Sequence, residues 1–309
     1  MTQTKAQTGW PEGSLGALVT KAAERMDAAG LHFGHGTASA FDEACWMAAH
    51  ALGRTPDFPE SALLESVASE AAGRFRDLLD RRIRSRQPLA YLLGEAWFAG
   101  LCFESGPGAL VPRSPLAELA VSGFGPWLDD ADLERAVDVG TGSGCLAVAL
   151  ACHHPEVRVD ALDVSSEALE LARRNARRHD VEDRVRVLES NLLDSVFGRR
   201  YDLILSNPPY VPRSSMECLP AEHRHEPALG LAAGEDGLDL VRRLLRQAPG
   251  HLTERGILVV EVGEAQPGLE ALLPEAPFLW LEFEHGGEGV FLLDAAGCRA
   301  TARMLEGRN

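Results

Sequence analysis

The 309-residue sequence has no paired-cysteine motif. Its six cysteines stand at Cys45, Cys102, Cys145, Cys152, Cys218 and Cys298, and no two are spaced C-x-x-C. That argues against a zinc or dithiol centre, so no metal is expected. Cys145 and Cys152 fall seven apart on a predicted helix and should fill core space as small hydrophobes. No stretch approaches the roughly 18 apolar residues a membrane helix needs. The first thirteen residues are polar, without the apolar heart of a secretory signal, so the expected compartment is the cytoplasm. Basic charge is also short: 30 Lys+Arg against 46 Asp+Glu leave a net charge of −16. Such a field does not draw the chain to phosphate backbones, which disfavours a dedicated DNA or RNA binder and suits a basic protein partner. Internal repeats and low-complexity tracts are missing too.

What is there is an ordinary globular composition, 45% hydrophobic and 25% charged, in a chain long enough for one large α/β domain and a smaller one. Up to about residue 95 the texture is helical. Residues 40–52, 61–69 and 71–84 place apolar side chains three and four apart, with breaks at Gly53, Pro56 and Pro59. Residues 96–114 turn to short apolar runs, and 97–103 and 109–111, separated by Gly106-Pro107-Gly108, read as a β-hairpin linker. From residue 115 to 309 strands and helices alternate. Strands are predicted at 135–139, 157–162, 185–188, 201–206 and 256–262, with helices at 145–152, 166–178 and 238–248. The runs 278–284 and 289–293, joined by His285-Gly286-Gly287-Glu288, read as an antiparallel hairpin. The pattern predicts an α/β fold, a doubly wound, mostly parallel seven-stranded sheet closed by that hairpin, plus a small helical N-terminal domain.

The strongest local signal is Asp138-Val139-Gly140-Thr141-Gly142-Ser143-Gly144-Cys145, a strand running into three alternate glycines and then a helix. Such a loop lets a ligand approach the backbone, and the helix start offers N–H groups and a positive dipole end to an anion, a phosphate or a carboxylate. Asp163 ends the next strand, 23 residues after Gly140, where a carboxylate can accept both hydroxyls of a ribose. The G-x-G-x-G spacing differs from the dinucleotide fingerprint. Asp138, two residues before the first glycine, suits a neighbouring ammonium better than a pyrophosphate. Together these features point to S-adenosylmethionine.

The strand at 201–206 ends in Asn207-Pro208-Pro209-Tyr210, beyond the carboxyl edge of the sheet where such folds bind ligands. The Asn207 side-chain oxygen and the Pro208 carbonyl can each accept one hydrogen of a substrate –NH2. The two prolines stiffen the backbone that carries them. Tyr210 can stack on a flat acceptor. An amide nitrogen is a poor nucleophile because its lone pair is delocalised; holding both hydrogens can turn that lone pair toward a methyl donor without a strong base. Asn207, Pro208 and Tyr210 are therefore the expected catalytic residues. The motif alone leaves glutamine, adenine and cytosine open as acceptors.

These motifs resemble those of the bacterial protein-(glutamine-N5) methyltransferases, class I enzymes with a nucleotide-fold catalytic domain that modify release factors or a ribosomal protein. The resemblance spans about residue 87 to residue 294. It includes Pro88-Leu89-Ala90-Tyr91 and Val111-Pro112-Arg113-Ser114-Pro115 with Glu118, besides the glycine loop and N-P-P-Y. Arg224-His225-Glu226-Pro227-Ala228-Leu229-Gly230-Leu231, Asp236-Gly237-Leu238-Asp239, Trp97-Phe98-Ala99-Gly100 and Trp280-Leu281-Glu282-Phe283 resemble the branch that methylates a glutamine of large-subunit ribosomal protein L-three. The release-factor branch usually has R-P-x-T-E after its linker and is the alternative.

The resemblance implies a substrate-recognising helical N-terminal domain and, as client, protein L-three, free or in an assembling subunit. It implies that Asp138, Gly140, Thr141, Gly142, Ser143, Gly144, Asp163, Asn191, Leu192 and Asn207 border the cofactor, and that Asn207, Pro208, Pro209 and Tyr210 hold the glutamine amide. Asn191 departs from the acid common at that position, but its oxygen can still accept from an adenine amino group.

Other features take plainer readings. His223 and His225 alternate without a further ligand cluster. Arg81, Arg82, Arg84 and Arg86 read as a solvated helix end favoured by the dipole. An adenine-N6 or cytosine-N4 methyltransferase would have to flip a base and grip its backbone, which the acidic charge opposes. A non-catalytic scaffold would not need Asn207.

Overall fold

The computed structural model describes residues 10–284 and 286–306, so His285 of the predicted turn lies outside the described residues. The described residues form two compact units, one made of residues 10–94 with 220–225, the other of residues 95–219 with 226–306.

The first unit is helical. Helix α1 (Leu15–Ala28) starts at Ser14, whose side chain accepts from the Ala17 N–H, and α2 (Ala40–Leu52) starts in the same way at Ser39 and stops at the left-handed Gly53. Helices α3 (Ser69–Ser85) and α4 (Leu89–Leu93) complete it. Val19, Met26, Met47, Phe75 and Leu79 fill its core. The helix expected at 61–69 is a 3-10 turn, Glu60–Leu64, followed by extended chain. The Glu65 carbonyl and the Val67 N–H bond the backbone at Leu15 and Gly13, and these non-local bonds replace helical ones.

The basic run also needs correcting. Arg82 is fully buried, with Nε 2.7 Å from Glu43 and Nη1 3.6 Å from Glu222, and its Nη2 donates to the His32 carbonyl. Arg86 is a left-handed C-cap that also pairs with Glu222, at 2.9 Å. Only Arg81 and Arg84 of the four match the solvated reading. The burial of Arg82 follows from the two carboxylates that meet it, one from a distant part of the chain.

In the second unit β1 (Glu95–Phe98) and β2 (Leu101–Glu104) form a hairpin with Phe98 opposite Leu101. The turn is Ala99-Gly100, both at positive φ as a two-residue hairpin turn of the I′ type requires, and not Gly106-Pro107-Gly108. Helix α5 (Leu116–Ser122) follows.

Then come β3 (Arg135–Val139), α6 (Cys145–His153), β4 (Arg158–Asp163), α7 (Ser166–Arg178), β5 (Val185–Glu189) and β6 (Tyr201–Ser206). After the short α8 (Arg213–Met216) come α9 (Asp239–Gln247), β7 (Leu252–Glu261), α10 (Gln266–Leu272), β8 (Leu279–Trp280), β9 (Val290–Asp294) and α11 (Ala295–Glu306).

The seven-stranded sheet has the order β5-β4-β3-β6-β7-β9-β8, parallel except for β9, which is antiparallel to both neighbours. Alternate residues feed opposite faces. Leu203 and Leu205 pack with α5 and α6 residues, while Ile204 packs with Leu244 of α9 and Cys298 of α11. The last hairpin is shorter on its first arm than predicted, because only Leu279 and Trp280 pair with β9. Phe278, Trp280 and Phe291 hold that edge together, with ring centroids 4.7–5.7 Å apart. Helix α11 has no counterpart among the predicted elements; its buried positions include Gly297, Cys298 and Thr301, which give a faint apolar period. Burial pushes the Cys145 and Cys298 thiols up to about 12, so both stay neutral and behave as small apolar groups.

Candidate active site

Strand β3 pairs with β4 on one side and β6 on the other, so chain direction across the sheet reverses there. Ligands of open α/β sheets bind outside the carboxyl ends at that reversal. Val139 lies opposite Ser206, and the Ser206 hydroxyl donates to the Val139 carbonyl at 2.7 Å. Gly140 and Asn207, each one residue further, therefore start their loops side by side.

The glycine loop is held from beneath. The Gly140 and Thr141 N–H groups both donate to the Leu162 carbonyl at 2.8 Å. Thr141 Oγ1 donates to Asp138 Oδ2 at 2.6 Å. Asp163 accepts from the Gly142 N–H through one oxygen and from the Ser165 N–H through the other, both at 2.9 Å. Gly144, at φ 78°, caps α6, and a Cβ there would lie 2.9 Å from Ala172 Cβ. This position needs glycine to let α6 and α7 approach as well as to turn the chain. Asp138 is 2% exposed, and burial pushes its carboxyl up to about 7 despite the Thr141 bond.

The third strand end brings in Ser190, whose N–H bonds the Asp163 carbonyl, and next to it Asn191 and Leu192. Leu192 is nearly buried and left-handed, at φ 55°. Asn191 is exposed, and its Oδ1 accepts from Arg243 Nη2 at 3.0 Å. The oxygen expected to face an adenine amino group is here bonded to a guanidinium.

On the acceptor side Pro208 is buried, while Asn207, Pro209 and Tyr210 are half-buried. A Cβ at Gly263 would lie 2.8 Å from the Tyr210 ring, so the ring lies on bare backbone. The Tyr210 hydroxyl donates to Glu261 Oε1 at 3.3 Å, and burial with the carboxylate beside it raises the phenol far above its ordinary value. Ser114 Oγ donates to Glu261 Oε2 at 2.5 Å, and the Asn207 side chain beside this carboxylate favours its ionised form.

Nearby, Arg113 grips Glu226 with both nitrogens, at 2.6 and 2.7 Å, and the Val111 N–H donates to the same carboxylate at 3.1 Å. Two segments that carry the family resemblance thus meet through Arg113 and Glu226. In the first unit the histidines diverge: His223 packs on His35 with centroids 4.5 Å apart, while His225 Nε2 lies 3.1 Å from the Ser85 carbonyl.

The fold brings the glycine loop, Asp138, Asp163 and Asn207 to one edge of the sheet, and sends the Asn191 side chain to Arg243. Sequence reasoning missed Glu261 and its partner Ser114. The signal was legible: in Ile257-Leu258-Val259-Val260-Glu261-Val262 one carboxylate interrupts a buried apolar run, at the carboxyl end of the strand beside N-P-P-Y. A buried charge there needs partners, and Ser114 and the acceptor loop supply them.

Residues 126–220 match the methyltransferase small domain family, and residues 18–94 match the PrmC N-terminal domain. The chain is 46% identical over 291 residues to a ribosomal protein uL3 glutamine methyltransferase of Xanthomonas campestris, covering 94% of each. It is 44% identical to the protein of that name from Bordetella pertussis, covering 91% of this chain and 94% of that one. Among solved structures, the hMettl16 catalytic domain in complex with a 3′UTR hairpin aligns with TM-score 0.51 at 18% identity, over 80% of this chain and 91% of that one, a likeness of fold alone. With that identity sustained along nearly its whole length, the chain is a methyltransferase belonging to the ribosomal protein uL3 glutamine methyltransferase family.

Proposed function

We propose that the protein transfers a methyl group from S-adenosylmethionine to the side-chain amide nitrogen of a glutamine in ribosomal protein uL3. The observation that carries this reading is Asn207-Pro208 at the switch point of the sheet, one residue past the register that joins β3 to β6. The cofactor, when bound, supplies an electrophilic methyl group on a sulfonium. Its residues fit the task. Each Asp163 oxygen accepts one backbone N–H, and a carboxylate has about four acceptor positions, so two remain for ribose hydroxyls. Asp138 is a buried acid that an ammonium would hold ionised. Asn207 Oδ1 and the Pro208 carbonyl accept the two amide hydrogens and aim the nitrogen lone pair; as an N–C bond formed the sulfonium S–C bond would break to leave a neutral thioether, and the cationic nitrogen would then lose a proton to solvent.

The deciding experiment offers labelled S-adenosylmethionine to purified uL3 and to a release factor in parallel. Label is expected in uL3. Predominant labelling of the release factor would move the protein to the other branch, and label in DNA or RNA alone would overturn protein methylation.

Asp138 gives a pH prediction. Its folded value of about 7 lies above the ordinary 3.8, so the stability tied to its protonated form is complete below about pH 4 and is lost as pH rises through 7. The unliganded protein should therefore lose thermal stability as pH rises from about 4 to about 7, the interval between the ordinary and the folded values, and level off above it. Asp138→Asn should flatten that slope. Binding of S-adenosylhomocysteine, which carries the same ammonium, should tighten over this range in the native protein and stay flat in the variant. A native affinity independent of pH would contradict the pairing.

A further inference from the structure

The acceptor chemistry assigned to Asn207 depends on which end of its amide faces the substrate. The carboxamide has an acceptor oxygen and a donor nitrogen of nearly the same shape, and a flip would present two hydrogens to the substrate's two. Nothing in N-P-P-Y itself prevents that flip. The lock must come from what touches the other end of the amide.

Glu261 is placed to be that lock. It is the last residue of β7; Ser206 pairs with Val260, so Asn207 and Glu261 follow at the same level on adjacent parallel strands. It is 5% exposed. Tyr210 Oη and Ser114 Oγ donate to it, and the Asn207 side chain lies beside it and holds its carboxyl down. An ionised carboxylate accepts only, so it bonds the Asn207 nitrogen and repels the oxygen. Ser114 is anchored in turn, since its Oγ accepts from the Leu116 N–H at the start of α5. We propose that Glu261, steadied by Ser114, is a positioning residue that fixes the Asn207 amide with its oxygen toward the substrate and holds Tyr210 beside it. This rests on the acceptor role given to Asn207 above.

The lock works only while Glu261 is ionised. Protonated, it could donate to the Asn207 oxygen and stabilise the flipped amide. The groups around it are Ser114 and Arg113 on the segment before α5, Asn207 and Tyr210 on the acceptor loop, and Glu264 beyond β7, which lies near Tyr210. Burial raises its carboxyl above the ordinary 4.5, against the hydrogen bonds and the Arg113 charge, so the ionised form is lost at a higher pH than that of an exposed glutamate.

The test compares the native enzyme with Glu261→Gln, Glu261→Asp, Ser114→Ala and Asn207→Ala, using S-adenosylmethionine and uL3. Glu261→Gln, which can donate as well as accept, should lower kcat on the order of 10- to 100-fold. The KM for uL3, S-adenosylhomocysteine affinity and Tm should change little. The native kcat should fall at acid pH with one protonation, and that limb should vanish in Glu261→Gln. Glu261→Asp, which keeps the charge, should recover part of the rate and the limb, and Ser114→Ala should shift the limb.

Native kcat and an unchanged acid limb in Glu261→Gln would overturn the proposal. So would a loss of rate that only parallels a loss of Tm, since that marks a merely structural contact. Asn207→Ala separates the two levels. If it stays fully active, the acceptor reading itself fails; if it is inactive while Glu261→Gln is native, only the lock fails.

Discussion

Asn207→Ala should reduce kcat by about 10²- to 10³-fold, the scale seen when one preorganised polar group aimed at a developing charge is removed. Substrate nitrogen becomes positive as the methyl group arrives, and the acceptors that hold its hydrogens gain strength as that charge grows. The interaction is thus worth more in the transition state than in the bound ground state, and its loss appears in kcat. The Pro208 carbonyl survives in the variant, so residual turnover is expected. Tm should hold, because Asn207 is only half-buried. Asn207→Asp keeps an acceptor but sets a second carboxylate against Glu261, where two like charges cannot both ionise cheaply, and it too should be slow. Steady-state kinetics with uL3 decides the matter: a raised KM with native kcat would mean that Asn207 only binds.

Arg82→Met should cost about 3–5 kcal/mol of stability, read as a lower denaturant midpoint with an unchanged m-value. The loss has two parts. A guanidinium that bonds Glu43 Oε1 and the His32 carbonyl disappears, and Glu43, itself buried, loses its guanidinium partner. Burial already raises the Glu43 carboxyl while Arg82 pulls it down. Without Arg82 it should rise further, so the variant takes up a proton as pH falls. Its deficit should be smaller at pH 5 than at pH 8. Arg82→Lys keeps the charge but not the planar fork that spans several acceptors, and should fall between the two. An unchanged midpoint in Arg82→Met would remove the ion cluster from any account of what holds the helical unit together.

The layout of the catalytic sheet was legible because its strands are short apolar runs that alternate with helical periods, and because the two loops carry residues that only a ligand explains. Asp138 and Asp163 were identified by their distance from Gly140, a relation that survives without coordinates. Contacts between distant segments were not legible. The bonds of Arg82 to Glu43, Arg113 to Glu226 and Ser114 to Glu261 join residues 39, 113 and 147 positions apart. Periodicity within a window of a dozen residues cannot see them. The linker turn was misplaced for a local reason: Gly-Pro-Gly is the louder turn signal, yet Ala99-Gly100 makes the hairpin with an alanine at φ 52°. Asn191 was expected beside the adenine from the family resemblance, and its bond to Arg243 shows that a matching position alone does not say where a side chain points.

The hexapeptide at residues 220–225 bears on how the chain comes off the ribosome. The helical unit takes Glu222 from a segment made long after Gly94, so it cannot be finished when its own helices emerge. At about 5–20 residues per second, the wait lasts on the order of 10 s. During that interval Arg82 has Glu43 but not its second carboxylate, and the nascent unit is only partly neutralised. Synthesis order and folding order are therefore out of step in this chain: the first unit to be translated is closed by a hexapeptide that is made only after much of the second.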